Sequence, residues 1–209
     1  MIPKVQDCLL SNQEDYDNLC KGVLSPEDYE SRLDKSILTM TNALGGVNFS
    51  RLCLCLCRAV YQEFEIYDDV VCDGGRDLGI DAKISFRDAF GFENKLVVQA
   101  KTHTDGNKKI GDKLIREFLG SMRVAKVRKG LFITNAFFHP TVLGIQTQEN
   151  KRKTTLMLVD QNKLLQLLKK YQCGLIKENG YLQLNKKFFF KQSINNNRLF
   201  VLMCGYTKI

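Results

Sequence analysis

IDAKISF (residues 80–86), RDAFGFEN (residues 87–94) and LVVQAKTH (residues 96–103) read in succession as strand, turn and strand, an antiparallel hairpin. Gly74, Gly75 and Gly79 in the preceding DDVVCDGGRDLG mark turns that deliver the chain to the first strand. On the second strand Gln99 and Lys101 are two residues apart, so their side chains leave one face while Ala100 points to the other. Pairing across the turn brings Asp81 opposite Gln99 and Lys101, which collects a carboxylate, an amide oxygen and an ammonium at one spot. A hard divalent cation takes oxygen ligands, with the Ala100 carbonyl as a further donor, and a neighbouring lysine orients or helps deprotonate an attacking water. Taken alone, a lysine beside a carboxylate is most often a plain surface ion pair, so the spacing by itself does not decide.

Outward from the hairpin the pattern alternates between helix and strand. Residues 47–60 are apolar almost all round, with Phe49, Leu52, Leu54, Leu56 and Val60, and predict a buried helix. Val70, Val71 and Cys72 offer a first strand before the glycines. From Ile110 the residues Leu114, Ile115, Phe118, Leu119, Met122 and Ala125 follow helical spacing, with Lys113, Arg116, Arg123 and Lys126 on the other side. GLFIT (130–134) and TLMLV (155–159) are short apolar strands of the kind buried in a mixed sheet, Pro140 opens a helix between them, and Asp160 caps NKLLQLLKKYQ. The order predicts an α/β sandwich. In the tail, KKFFFKQ and RLFVLMCGY around SINNN read as a β-hairpin.

Charge divides the chain. It carries net +8, yet residues 1–40 hold 4 basic and 8 acidic residues, net −4, leaving +12 for the rest. Ser11 with Glu14, and Ser25 with Pro26, Glu27 and Asp28, begin two helices in this acidic front, and Gly22 ends the first. The front reads as helices packed on the domain, as a dimer contact or as a cover over a basic cleft. The parse is an acidic helical appendage (1–45), a central domain (46–175) and a C-terminal β extension packed on it (176–209). The basic surplus suits a polyanionic partner, and residues 101–129 concentrate it with 9 Lys or Arg against 3 acids.

No apolar run approaches the roughly 20 residues of a membrane span, and the opening MIPKVQDCLLSNQEDYDN lacks the apolar core of a secretory signal. The expectation is a cytoplasmic chain with no membrane partner. The eight cysteines form no CxxC pair, and LCLCLC (52–57) places three of them in an apolar run, where they read as buried thiols of a reducing compartment rather than zinc ligands.

Four segments together carry a family resemblance: GGRDLGID (74–81), VVQAK (97–101), FLG (118–120) and GLFITN (130–135). In that order and spacing the chain resembles the catalytic domain of Mrr-like restriction endonucleases, a branch of the PD-(D/E)XK nuclease superfamily whose pattern is G-x-D-x-G-x-D followed by Q-x-K. The resemblance runs over roughly residues 49–171, including Leu158, Val159, Asp160 and Leu164. It implies a restriction-endonuclease-like mixed β-sheet flanked by helices, with the helical front and the C-terminal hairpin added. It further implies a Mg²⁺-dependent restriction-type endonuclease, with Mn²⁺ as the alternative ion, acting on double-stranded DNA. Cutting both strands needs two such sites, so a homodimer is the simplest assembly. Position by position, Asp81 becomes the principal metal ligand, Gln99 the second ligand or metal-orienting group and Lys101 the residue acting on the water. Asp77 matches an earlier acidic position, against a turn-stabilising alternative.

One departure stands out: many relatives place a Glu after the Phe of the first helix, and here Phe49 is followed by Ser50. Glu63 or Glu65 are the candidates to substitute. Lys108, Lys109, Lys113 and Arg116 are the candidate phosphate contacts. His103 shares strand parity with Lys101, His139 reads as a helix-start residue before Pro140, and Thr134 and Asn135 end a strand near the same edge. The rival readings are a nuclease-fold DNA-binding protein with a crippled site, motivated by Ser50, and a structure-specific repair nuclease on the same fold.

Overall fold

The computed structural model describes residues 5–71, 79–103 and 109–192. Three helices come first: α1 (Val5–Cys20), α2 (Pro26–Ala43) and α3 (Gly45–Val60). The Ser25 hydroxyl accepts from the Asp28 N–H at 3.1 Å and Pro26 occupies the first turn, so α2 starts where the capping residues dictate. There follow β1 (Glu65–Val71), β2 (Ala82–Arg87), β3 (Glu93–Lys101), β4 (Lys109–Ile110), α4 (Asp112–Val124), β5 (Lys129–Thr134), β6 (Phe137–Phe138), α5 (Pro140–Lys151), β7 (Thr155–Val159) and α6 (Gln161–Lys170). The chain closes on β8 (Leu175–Glu178), β9 (Tyr181–Leu184) and α7 (Lys186–Gln192).

The main sheet has five strands in the order β1-β2-β3-β5-β7, with β1, β2 and β3 antiparallel and β3, β5 and β7 parallel. This is the mixed sheet flanked by helices that the resemblance implied. The two parallel steps need crossovers, and α4 and α5 supply them. Strand parity sorts the core into two layers. Ala82, Ile84, Phe86, Leu96, Val98, Ala100 and Ile133 face one layer, with Phe49, Leu52 and the α3 cysteines. Val97, Phe132 and Leu156 face the other, with Ile115, Phe118, Met122 and Val142. Gly130 lets α4 lie against β5: a Cβ there would meet Met122 Sδ at 2.4 Å and Phe118 Cε1 at 3.0 Å.

Cys53, Cys55 and Cys57 are all at most 3% exposed, and burial pushes the Cys57 thiol up to about 12. They are core residues. The acidic front shares this core, since Tyr29, Leu33, Ile37 and Met40 join the α3 layer. Tyr29 donates to the Leu182 carbonyl at 2.7 Å, and Lys169 of α6 bridges Glu30 at 2.6 Å and Asp34 at 2.8 Å. Two acids of the front are thus occupied by α6.

The tail departs from its sequence reading. Residues 186–192, expected as the first strand of a hairpin, form α7, because Phe188 and Phe189 are both buried in one core. Consecutive residues on a strand face opposite ways, whereas two neighbours on a helix lie about 100° apart and share a face. The Asn185 side chain accepts from the Phe188 N–H at 3.2 Å and starts the turn. Residues 193–209, the other half of that expected hairpin, lie outside the described residues. A hairpin does occur just upstream, β8 to β9, turned by Asn179 and Gly180 at φ 47° and 89°. That dipeptide is the preferred pair for two-residue turns with both φ values positive.

Candidate functional site

β2 and β3 pair as far as Ala82 opposite Val98, and one step further Asp81 donates its N–H to the Val98 carbonyl at 2.9 Å. The register therefore sets Asp81 beside Gln99, with Lys101 at the end of the strand. Asp81 Oδ2 accepts from the Ala100 N–H at 2.8 Å, and Oδ1 accepts from the Ser50 hydroxyl at 3.2 Å. Ser50 sits in the second turn of α3, so that helix delivers its N-terminal end to the same spot. Burial pushes the Asp81 carboxyl above its ordinary range, while the Ala100 N–H, the Ser50 hydroxyl and the Lys101 ammonium each act to lower it.

Gln99 is the other half of the arrangement. Its Oε1 is buried and has no hydrogen-bond partner among the described residues. A buried acceptor without a donor is costly in an ordinary core and is satisfied when a cation occupies its lone pair. Gly79, at φ 77°, makes room for it: a Cβ there would stand 3.2 Å from Gln99 Nε2. The oxygens that fit a hard cation are thus the Asp81 carboxylate, Gln99 Oε1 and the Ala100 carbonyl. Among the described residues no group of three or more His, Cys, Asp or Glu gathers into a metal cluster. Asp77, which would add a second carboxylate, lies outside the described residues, as does Lys108.

The remaining expected residues fall at various distances from this centre. Glu63 is exposed in the turn after α3, beyond Val60, and ten residues of helix separate Val60 from Ser50. That is about 15 Å of helix, so Glu63 does not stand in for the missing acid beside Ser50. Glu65 opens β1 and pairs with Arg87 at 3.5 Å, at the far end of the β1–β2 ladder. Lys109 is exposed on β4, which pairs with β6 just past the ends of β3 and β5, the end of the sheet where Lys101 lies. Lys113 and Arg116 are exposed in the first turns of α4, which leaves that end, and Arg116 has Asp112 at 3.8 Å. His139 caps α5, its Nδ1 accepting from the Thr141 N–H at 3.4 Å, which is a helix-start role.

Thr134 and Asn135 are buried at the end of β5, at 0% and 1% exposure. The Thr134 hydroxyl donates to the Lys101 carbonyl at 2.7 Å. Asn135 Oδ1 accepts from the His103 N–H at 2.7 Å, and Nδ2 faces the His103 carbonyl at 2.9 Å, Thr102 Oγ1 at 3.1 Å and Asn42 Oδ1. Asn42, in the last turn of α2, is a residue that sequence reading passed over. No local pattern flags it, because its partner is 93 residues away.

The family model for restriction endonucleases of the Mrr catalytic type matches residues 41–168. No curated protein and no solved structure matches the chain. The matched segment covers more than half of the 209 residues, runs from the end of α2 into α6 and encloses the whole five-stranded sheet, so the chain belongs to the Mrr-type restriction endonuclease family.

Proposed function

We propose that the protein is a Mg²⁺-dependent endonuclease that hydrolyses phosphodiester bonds in duplex DNA, with Asp81, Gln99 and Lys101 as its catalytic residues. The observation that carries this reading is the buried Gln99 Oε1, without a hydrogen-bond partner among the described residues, on the residue that the register sets beside Asp81 and on the strand that ends in Lys101. Asp81, Gln99 and the Ala100 carbonyl would hold the ion, Mg²⁺ or in its place Mn²⁺. When bound, such an ion neutralises charge on the scissile phosphate and lowers the pKa of a coordinated water. Lys101 orients the attacking water and offsets charge that develops on the phosphate, while Ser50 and the Ala100 N–H fix the rotamer of Asp81. Asp77 is an accessory carboxylate in this reading. Lys108, Lys109, Lys113 and Arg116 position the DNA through its phosphates without reading bases.

Cutting both strands of a duplex requires two such sites, and a homodimer is the simplest way to supply them. Among the described residues no helix is long and apolar enough to cross a membrane. The buried thiols of α3 suit a reducing compartment, which supports a cytoplasmic location in this reading. Membership of the restriction endonuclease family supports a restriction role for that activity, and with it a part in antiviral defence, within this proposal. One observation favours a second reading, a nuclease-fold DNA-binding protein with weak catalysis: Asp81 has the Ser50 hydroxyl where many relatives carry an acid.

Incubating supercoiled plasmid with the protein, in Mg²⁺ and in EDTA, on methylated and unmethylated copies, separates the two. Linear product in Mg²⁺ alone supports the nuclease. Retarded but intact plasmid in both conditions supports the binding protein.

A further inference from the structure

The strand that carries Lys101 is unevenly supported. On one side its ladder with β2 ends at Val98, and on the other it pairs with β5 only as far as Lys101 opposite Thr134. Past that point side chains take over from strands. Thr134 donates its hydroxyl to the Lys101 carbonyl at 2.7 Å. Asn135 then binds both main-chain groups of His103, accepting from its N–H at 2.7 Å and donating to its carbonyl at 2.9 Å. An amide that meets the N–H and C=O of one residue does what a neighbouring strand does in a ladder. Asn135 is itself held by Asn42, from the last turn of α2, and at 1% exposure it is shut off from the surface.

We propose that Asn135, braced by Asn42, is a positioning residue that fixes the course of the chain through residues 101–103 and thereby holds the Lys101 ammonium toward the Asp81 carboxylate. The inference rests on the nuclease reading for its effect on rate, although the positioning itself does not depend on turnover. A flexible four-carbon side chain takes its reach from where its Cα lies and which way the strand runs. A misplacement of about 1 Å in a catalytic constellation costs on the order of 10²-fold in rate. The proposal also gives α2 a part in the site, since a helix of the acidic front supplies the brace.

The test uses the full chain and the variants Asn135→Ala, Asn135→Asp and Asn42→Ala. Three quantities are measured: the single-turnover cleavage rate at saturating DNA, the DNA affinity, and the NMR signals of the His103 amide and the Lys101 side chain. Asn135→Ala is expected to cleave about 10²-fold more slowly with DNA affinity unchanged, to lose hydrogen-exchange protection at His103 while the β2 and β5 amides keep theirs, and to shift the Lys101 signals. Asn135→Asp keeps the acceptor for the His103 N–H and recovers part of the rate. Asn42→Ala has a smaller effect of the same kind, and the Asn42→Ala/Asn135→Ala double variant is no slower than Asn135→Ala.

A folded Asn135→Ala chain with the wild-type rate overturns the proposal, as does one in which rate and DNA affinity fall in parallel. If the wild-type chain does not cleave DNA at all, the nuclease reading fails, and the Lys101 signals decide the positioning: unmoved in Asn135→Ala, they overturn it. If Asn135→Ala does not fold, Asn42→Ala carries the same readouts, and wild-type values there overturn the brace.

Discussion

Asp81 accepts two hydrogen bonds and faces a lysine, yet burial still holds its carboxyl above the ordinary range. The folded chain therefore binds this proton more tightly than the unfolded chain. Between the two pKa values the native state carries more protons, so stability is fully present below the unfolded value of 3.8 and is lost as pH rises through the folded one. Asp81→Asn removes that penalty and keeps an oxygen for the Ala100 N–H. Its thermal midpoint is expected above wild type at pH 8 and level with it well below pH 4, with roughly 2–4 °C for each kcal/mol relieved in a chain of this size. A midpoint at pH 8 below wild type, read by circular dichroism, would contradict the burial argument. The placing of Asp81 opposite Gln99 was legible in the sequence from the period of two and the short RDAFGFEN turn, whereas the roles given to Asp81, Gln99 and Lys101 rest on the family resemblance. The Asn42–Asn135 bond was not legible, since it joins α2 to the end of β5 and depends on how helices pack.

Among the elements, the segment entering β2 is constrained by Gly79, whose φ of 77° lies in the left-handed region beside Gln99. A side chain in that conformation costs roughly 1–2 kcal/mol, and the added methyl would press on Gln99 Nε2. Gly79→Ala is expected to lower unfolding free energy in urea by about that amount and to reduce Mg²⁺-dependent cleavage at limiting Mg²⁺ more than at saturating Mg²⁺. Equal loss at all Mg²⁺ concentrations would detach Gly79 from the metal-binding role proposed for Gln99. The buried strands β5 and β7, the buried α3 and the basic α4 were readable from apolar runs and helical spacing, while the parallel pairing of β3, β5 and β7 was not. The tail was misread because three consecutive phenylalanines look like a strand, and only the position of the α3 and α6 layer shows that a helix buries two of them together. The Asn179–Gly180 turn was a local signal that sequence reading left unused.

For the molecule as a whole, charge is the governing quantity: net +12 after residue 40, with Lys109, Lys113 and Arg116 exposed toward one end of the sheet, and an acidic front partly neutralised by Lys169. Affinity for duplex DNA is expected to fall steeply with salt, log K against log salt having a slope of about −0.9 per phosphate neutralised. Replacing Lys109, Lys113 and Arg116 by alanine should flatten that slope by about 0.9 for each phosphate no longer neutralised, alike on all sequences. An unchanged slope in the triple variant, by fluorescence anisotropy, would place the DNA elsewhere. The central claim, that the Asp81 carboxylate works with Gln99 and Lys101 to cut DNA, is tested most directly by Asp81→Asn, because this variant is expected to fold at least as well as wild type. The measurement is single-turnover cleavage of supercoiled plasmid in Mg²⁺ by both chains at equal folded concentration. The account predicts linear product from wild type and intact plasmid from Asp81→Asn; cleavage by Asp81→Asn at the wild-type rate would contradict it.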